Sequence, residues 1–142
     1  MSGAGLLREQ HKPIPTPKRR AVRVLVVDDY PDNVESMAVL LRLYGHEVEV
    51  ALGGPAALRT AQTQQPDAVL LDLSMPGLDG YQVARKLRAM FRDQPLLLVA
   101  ITAHGFEEDR RRCEEAGFDR HLVKPADPLE VENLLRELGQ SL

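Results

Sequence analysis

Five times along this chain a short apolar run ends on a polar residue and gives way to helical periodicity, and that alternation constrains the fold more than any other feature. Ala21 to Val27 is valine-rich and leads into the acid pair Asp28-Asp29. Pro31 suits the first turn of a helix, in which Val34, Met37, Ala38 and Leu41 recur at the spacing of one buried face until Gly45 stops it. Glu47 to Leu52 alternates, with Val48, Val50 and Leu52 on one side, as expected of a strand with one wetter face near a sheet edge. Gly53-Gly54-Pro55 opens a second helix, reaching about Gln64. After Pro66-Asp67, the residues Val69, Leu70 and Leu71 read as a short strand buried on both faces, which delivers Asp72 at its carboxyl end.

The second half repeats the pattern. Val83, Leu87 and Met90 form a helical stripe ending near Phe91, and Leu96 to Ile101 is an apolar strand ending in Thr102. Glu107 to Ala116 is a charged helix whose acids, Glu107, Glu108 and Asp109, precede Arg110, Arg111 and Arg112, the order a helix dipole prefers; Gly117 closes it. His121 to Val123 is a final short strand leading into Lys124-Pro125. Asp127 then caps a helix with Pro128 first and Glu130 three residues after the cap, and Val131, Leu134, Leu135 and Leu138 are its expected buried stripe.

Strands alternating with helices imply right-handed crossovers and a parallel sheet covered on both faces. The fold class is α/β, a flavodoxin-like (βα)5 three-layer sandwich with strand order 2-1-3-4-5. Taken alone, Asp72 reads equally well as the cap of the turn that follows it or as a reactive acid. The strand order favours the second reading, because it sets the first and third strands side by side and brings Asp28 and Asp29 to the rim that carries Asp72, where open α/β sheets bind ligands. Thr102 and Lys124 reach the same rim from the fourth and fifth strands.

At 142 residues the chain has the length of one ordinary domain with a short tail, and 44% hydrophobic with 27% charged residues suits a globular protein. No apolar run approaches the ~20 residues of a membrane-spanning helix, and the start of the sequence lacks the apolar centre of a signal peptide. The single cysteine, Cys113, excludes an internal disulfide framework and favours a reducing, cytoplasmic compartment, with packing on a helix as its role. Residues 1–20 hold five basic groups and one acid, a net +4, so the remainder carries −7 of the chain's net −3. An acidic domain gives no support to nucleic-acid binding, which calls for a basic face. Pro13, Pro15 and Pro17 alternate with other residues in that basic stretch, so residues 1–20 are read as a disordered arm and residues 21–142 as the folded domain.

Three carboxylates at one rim repel each other unless a cation sits among them, and hard oxygen ligands with room for water suit Mg²⁺. A lysine there can neutralise charge and reach a phosphoryl oxygen, and a threonine hydroxyl can donate to the same group. Together these residues are equipment for phosphoryl transfer to a carboxylate.

The pieces Val-Leu-Val-Val-Asp-Asp at 24–29, Asp72 followed by Met75-Pro76-Gly77 and Asp79-Gly80, Ile-Thr-Ala at 101–103 and Lys124-Pro125 resemble the bacterial response-regulator receiver domain over about residues 21–140. The stretch Gly117 to Pro125 looks most like receivers attached to hybrid histidine kinases. The resemblance implies that Asp72 accepts a phosphoryl group from a histidine kinase or a histidine phosphotransfer protein. It also implies that Asp29 binds Mg²⁺ directly, Asp28 mainly through water and Ser74 through its backbone carbonyl. Lys124 would pair with the phosphoryl group, Thr102 would move toward it, and the Lys124-Pro125 bond would be cis. His121 stands where receivers commonly carry tyrosine or phenylalanine, so it is either a switch residue or a surface histidine on an edge strand. By the same resemblance, Ser74 and His104, two residues beyond Asp72 and Thr102, would flank the attacking water and tune dephosphorylation.

The resulting expectation is a stand-alone receiver without a DNA-binding output domain. It would catalyse only its own phosphorylation and dephosphorylation, and signal to a downstream protein through a surface at about residues 107–138. Two alternatives use the same residues. A receiver-like interaction module that is not phosphorylated would not need the full set Asp28, Asp29, Asp72, Thr102 and Lys124. A Mg²⁺-dependent phosphatase of the haloacid dehalogenase type would need a second aspartate two residues after its nucleophile, where this chain has Ser74.

Overall fold

The computed structural model describes residues 21–73, 80–103 and 107–141. In chain order its elements are β1 (Arg23–Asp28), α1 (Pro31–Leu43), β2 (Glu47–Leu52), α2 (Gly54–Gln64), β3 (Ala68–Asp72), α3 (Gly80–Met90), β4 (Leu97–Thr102), α4 (Glu107–Ala116), β5 (Arg120–Val123) and α5 (Pro128–Ser141). The strands form one parallel sheet in the order β2-β1-β3-β4-β5. The flavodoxin-like arrangement read from the alternation is therefore the observed one. Residues 1–20, the Met75-Pro76-Gly77 turn with Asp79, and both Ser74 and His104 lie outside the described residues.

Because successive side chains of a strand point to opposite faces, the central strands feed two separate cores. Leu25, Val27, Val69, Leu71, Leu98 and Ala100 pack on one face beneath α2, α3 and α4, with Ala57, Ala61, Leu87, Cys113 and Ala116. Val24, Val26, Leu70, Val99 and Leu122 pack on the other beneath α1 and α5, with Val34, Ala38, Leu41, Val131 and Leu135. Every residue of β3 is buried, as its unbroken apolar run requires, and that includes Asp72. At the amino-terminal edge Asp67 ties β1 to β3. Its Oδ2 accepts the Arg23 N–H at 2.9 Å, and its own N–H donates to the Arg23 carbonyl at 2.8 Å.

Several helical and strand patterns shift on folding. In β2, Leu52 is exposed and Ala51 is buried, because Ala51 lies on the face roofed by α2 while Leu52 reaches the rim beyond helical cover. In α3 the buried stripe is Val83, Ala84 and Leu87, and Phe91 just past the helix fills the place expected of Met90, which is exposed. In α5 the buried positions are Val131, Glu132, Leu135 and Gly139, while Leu134 and Leu138 are half-buried. A glutamate thus sits inside the expected apolar stripe. Asp127 caps this helix through Oδ1, which accepts the Leu129 N–H at 3.0 Å.

Arg88 closes the far end of the sheet. Its Nε donates to the Gly117 carbonyl at 2.8 Å, its Nη1 to the Leu96 carbonyl at 2.6 Å, and its Nη2 to the Asp119 carboxylate, which also accepts the Leu98 N–H. Gly117 has φ +103°, and a Cβ there would stand 2.8 Å from Arg88 Cγ, so both its backbone and its neighbour call for glycine.

Candidate functional site

The carboxyl ends of four adjacent strands converge on one rim. Asp28 ends β1, Asp72 ends β3, Thr102 ends β4, and Lys124 follows β5. The sheet register fixes this meeting: Asp72 is opposite Ile101, and Thr102 is opposite Val123. Two backbone hydrogen bonds extend the ladder past the strand ends, Leu73 N–H to the Ile101 carbonyl and Lys124 N–H to the Thr102 carbonyl, each at 2.8 Å. The backbone that presents the site is therefore part of the sheet rather than of a free loop.

Asp72 is only 4% exposed, and Lys124 Nζ donates to its Oδ2 at 2.7 Å. Burying a carboxylate is costly unless it is paired in this way. Lys124 is about one-third exposed, so its ammonium bridges the buried acid and the open rim. Thr102 is buried beside it. The Lys124–Pro125 peptide bond is cis.

The three acids do not play equivalent parts. Asp28 is buried and caps its own turn, with Oδ1 accepting the N–H groups of Asp29 at 2.7 Å and Tyr30 at 3.2 Å, and Oδ2 accepting Asn33 Nδ2 at 3.2 Å. Asp28 thus caps the turn that leads from β1 into α1. Asp29 is exposed. Asp28 and Asp72 line one cavity of about 550 Å³, from whose lining Asp29 is absent. Among the described residues no three histidine, cysteine, aspartate or glutamate side chains are grouped closely enough to hold a metal ion. The donor set nonetheless fits Mg²⁺, which keeps several waters and takes only one or two carboxylates, all oxygen ligands.

The cavity has a character the sequence did not announce. Its floor and walls are mostly apolar, with Val26 and Leu70 beneath, Met37 and Leu40 on the α1 side, and Pro125, Ala126 and Pro128 on the opposite side. Asn33 and Ser36 add polar groups from α1. Met37 belonged to a helical stripe expected in the core, and no local signal told that its outer edge would line an opening.

His121 is paired in register with Ala100, which places it on the α4 side of the sheet. It is half-buried, and its Nε2 is buried without a hydrogen-bond partner among the described residues. That is a different environment from a fully solvated surface histidine.

Residues 24–136 match the model of the response regulator receiver domain. The chain belongs to the response-regulator receiver family. This receiver is 45% identical over 123 residues to the transcriptional regulatory protein PrrA of Mycobacterium tuberculosis, a match covering 84% of this chain and 52% of that protein. It is 38% identical over 121 residues to the sensor histidine kinase GacS of Pseudomonas protegens, covering 83% of this chain and 13% of that one. Its relatives thus include both response regulators and receivers carried within kinases. The receiver spans about half the length of the PrrA proteins it matches. Among solved structures it resembles the response regulator TrrA of Thermotoga maritima in complex with Mg(2+)-BeF, with TM-score 0.71 and 30% identity over 82% of this chain and 98% of that chain. Receivers are signalling domains of two-component phosphorelays. No helix among the described residues is long and apolar enough to cross a membrane.

Proposed function

We propose that this receiver accepts a phosphoryl group on Asp72 from the phosphohistidine of a sensor kinase or a histidine phosphotransfer protein. The observation that carries this reading is the buried Asp72 carboxylate at the end of a central strand, with Lys124 Nζ 2.7 Å from its Oδ2. In the transfer an Asp72 oxygen forms a bond to phosphorus as the bond from phosphorus to the imidazole nitrogen breaks, and the departing imidazole takes up a proton. Lys124 is placed to follow the added negative charge as a mobile cation. Thr102 offers a hydroxyl on the neighbouring strand.

Mg²⁺ held by Asp29, Asp72 and the Ser74 carbonyl, with Asp28 acting mainly through water, would offset charge on the phosphoryl oxygens. Support for the metal comes from the oxygen donor set and from the Mg(2+)-BeF complex of the related TrrA. Residues 21–142 then act as the signalling domain and residues 1–20 as an arm. The signal leaves by contact with a downstream protein through about residues 107–138, with His121 as a switch between sheet and α4, in the cytoplasm and without nucleic-acid contact.

The test is treatment with acetyl phosphate and Mg²⁺, comparing the parent protein with Asp72→Asn. The parent should gain one alkali-labile acyl phosphate that the variant lacks. Equal labelling of both proteins would overturn the assignment. Incubation with candidate phosphorylated kinases then identifies the donor by the speed of transfer.

A further inference from the structure

A second buried polar contact lies away from the rim. His46 Nε2 and Glu132 Oε1 are 2.7 Å apart, and the two side chains are only 9% and 6% exposed. His46 belongs to the turn that ends α1, and its N–H donates to the carbonyl of the core residue Leu41 at 3.2 Å, so the imidazole moves with α1. Glu132 is one turn into α5, four residues beyond Pro128. Arg136 stands 3.7 Å from the other carboxylate oxygen, and His46 Nδ1 is buried with no hydrogen-bond partner among the described residues. Glutamate is costly to bury, and here it sits in an otherwise apolar stripe with a buried histidine as its partner.

The two elements joined by this contact are the two that wall the cavity over Asp72. Ser36, Met37 and Leu40 come from α1, whereas Ala126 and Pro128 come from the start of α5 and the segment leading into it. The separation of those walls therefore follows from how α5 is seated on α1. The cavity, at about 550 Å³, is far larger than a small phosphodonor needs, and its apolar lining suits the side chains around a histidine carried on a protein surface.

We infer that His46 and Glu132 are positioning residues: by clamping α1 to α5 they set the width of the apolar groove through which a protein-borne phosphohistidine reaches Asp72, and so determine selectivity for that donor over small phosphodonors. This rests on Asp72 being the acceptor. Neither residue touches the reacting atoms, and a small donor reaches Asp72 and Lys124 whatever the seating of α5.

The test compares the parent, the double variant His46→Leu/Glu132→Leu and the conservative Glu132→Gln. Leucine at both positions removes the polar contact without leaving a charge buried alone, while glutamine keeps an acceptor for the imidazole N–H. Each protein is phosphorylated with acetyl phosphate and, separately, with a phosphorylated histidine phosphotransfer domain. The double variant should lose roughly tenfold or more in the ratio of protein-donor to small-donor rate, as expected when a reacting group is misplaced by a fraction of an ångström to an ångström. Glu132→Gln should restore the parent ratio. A ratio that stays within about a factor of two in the double variant overturns the inference, as does an equal fall with both donors, which would mark a merely structural role. Methyl NMR shifts of Met37 and Ala126 give a readout independent of phosphorylation: they should move in the double variant and hold in Glu132→Gln, and unmoved shifts in both overturn the inference. If the parent accepts phosphate from neither donor, the acceptor assignment fails instead, and the methyl shifts still decide whether the pair positions the groove.

Discussion

Arg88→Met should destabilise the domain by about 2–3 kcal/mol, an estimate in which each lost contact is weighed by its exposure. The guanidinium holds the Gly117 and Leu96 carbonyls and the Asp119 carboxylate, joining α3 to the starts of β4 and β5. The Arg88 and Asp119 side chains are 33% and 39% exposed, so solvent screens their ion pair to roughly 0.5–1 kcal/mol. The two carbonyls are partly buried and lose about 1 kcal/mol each, while methionine keeps most of the packing made by the arginine stem. At roughly 3 °C per kcal/mol for a domain of this size, the melting temperature should fall by about 6–9 °C. Urea denaturation is the better measurement, because an unchanged m-value shows that the loss belongs to the native state. Gly117→Ala should be destabilising for the same reason, since its Cβ would meet Arg88 Cγ at 2.8 Å and its φ is +103°. In the Arg88→Met background the side chain keeps its Cγ but is no longer pinned by the guanidinium's hydrogen bonds and can yield, so the steric part of that cost should shrink, leaving the backbone part. An Arg88→Met loss under about 0.5 kcal/mol, or full additivity of the two substitutions, would refute the picture of one shared anchor.

Leu70→Ala removes a side chain that is 1% exposed but also borders the open cavity, so its cost should sit near the low end of the usual 2–5 kcal/mol for such a truncation, as measured by urea denaturation. Excess chelator should stop both gain and loss of the Asp72 phosphate, followed by radiolabel; undiminished phosphorylation would remove Mg²⁺ from the mechanism. Exchanging Ser74 and His104 together for residues with acidic or amide side chains should alter the lifetime of the phosphorylated protein, read as a first-order decay, and an unchanged decay would show that these positions do not govern the attacking water. Lys124→Ala should slow phosphoryl gain on Asp72 more than tenfold, because the cation nearest the acceptor is lost, and parent-like rates would deny Lys124 its role.

The alternation of apolar runs and helical stripes was enough to determine a parallel sheet with right-handed crossovers, whereas the strand order, assigned as 2-1-3-4-5, is one of the doubly wound alternatives that alternation alone leaves open. It also placed the polar residues at strand ends on one rim, since that placement depends only on where each run stops and which way the strands point. Asp28, Asp72, Thr102 and Lys124 meet there for this reason. Periodicity was less able to say which members of a stripe are covered. Leu52 and Met90 match their patterns and are exposed, because the cover depends on where the neighbouring helix ends. Only the tertiary structure could decide that Glu132 is buried. Its partner His46 lies 86 residues away in sequence, and a pattern that weighs each residue by its own hydrophobicity cannot represent a polar group made tolerable by another on a different element. The same holds for Arg88, whose exposed-looking charge satisfies two carbonyls from separate connections, and for the groove over Asp72, whose walls come from α1 and the start of α5 and exist only once both have docked.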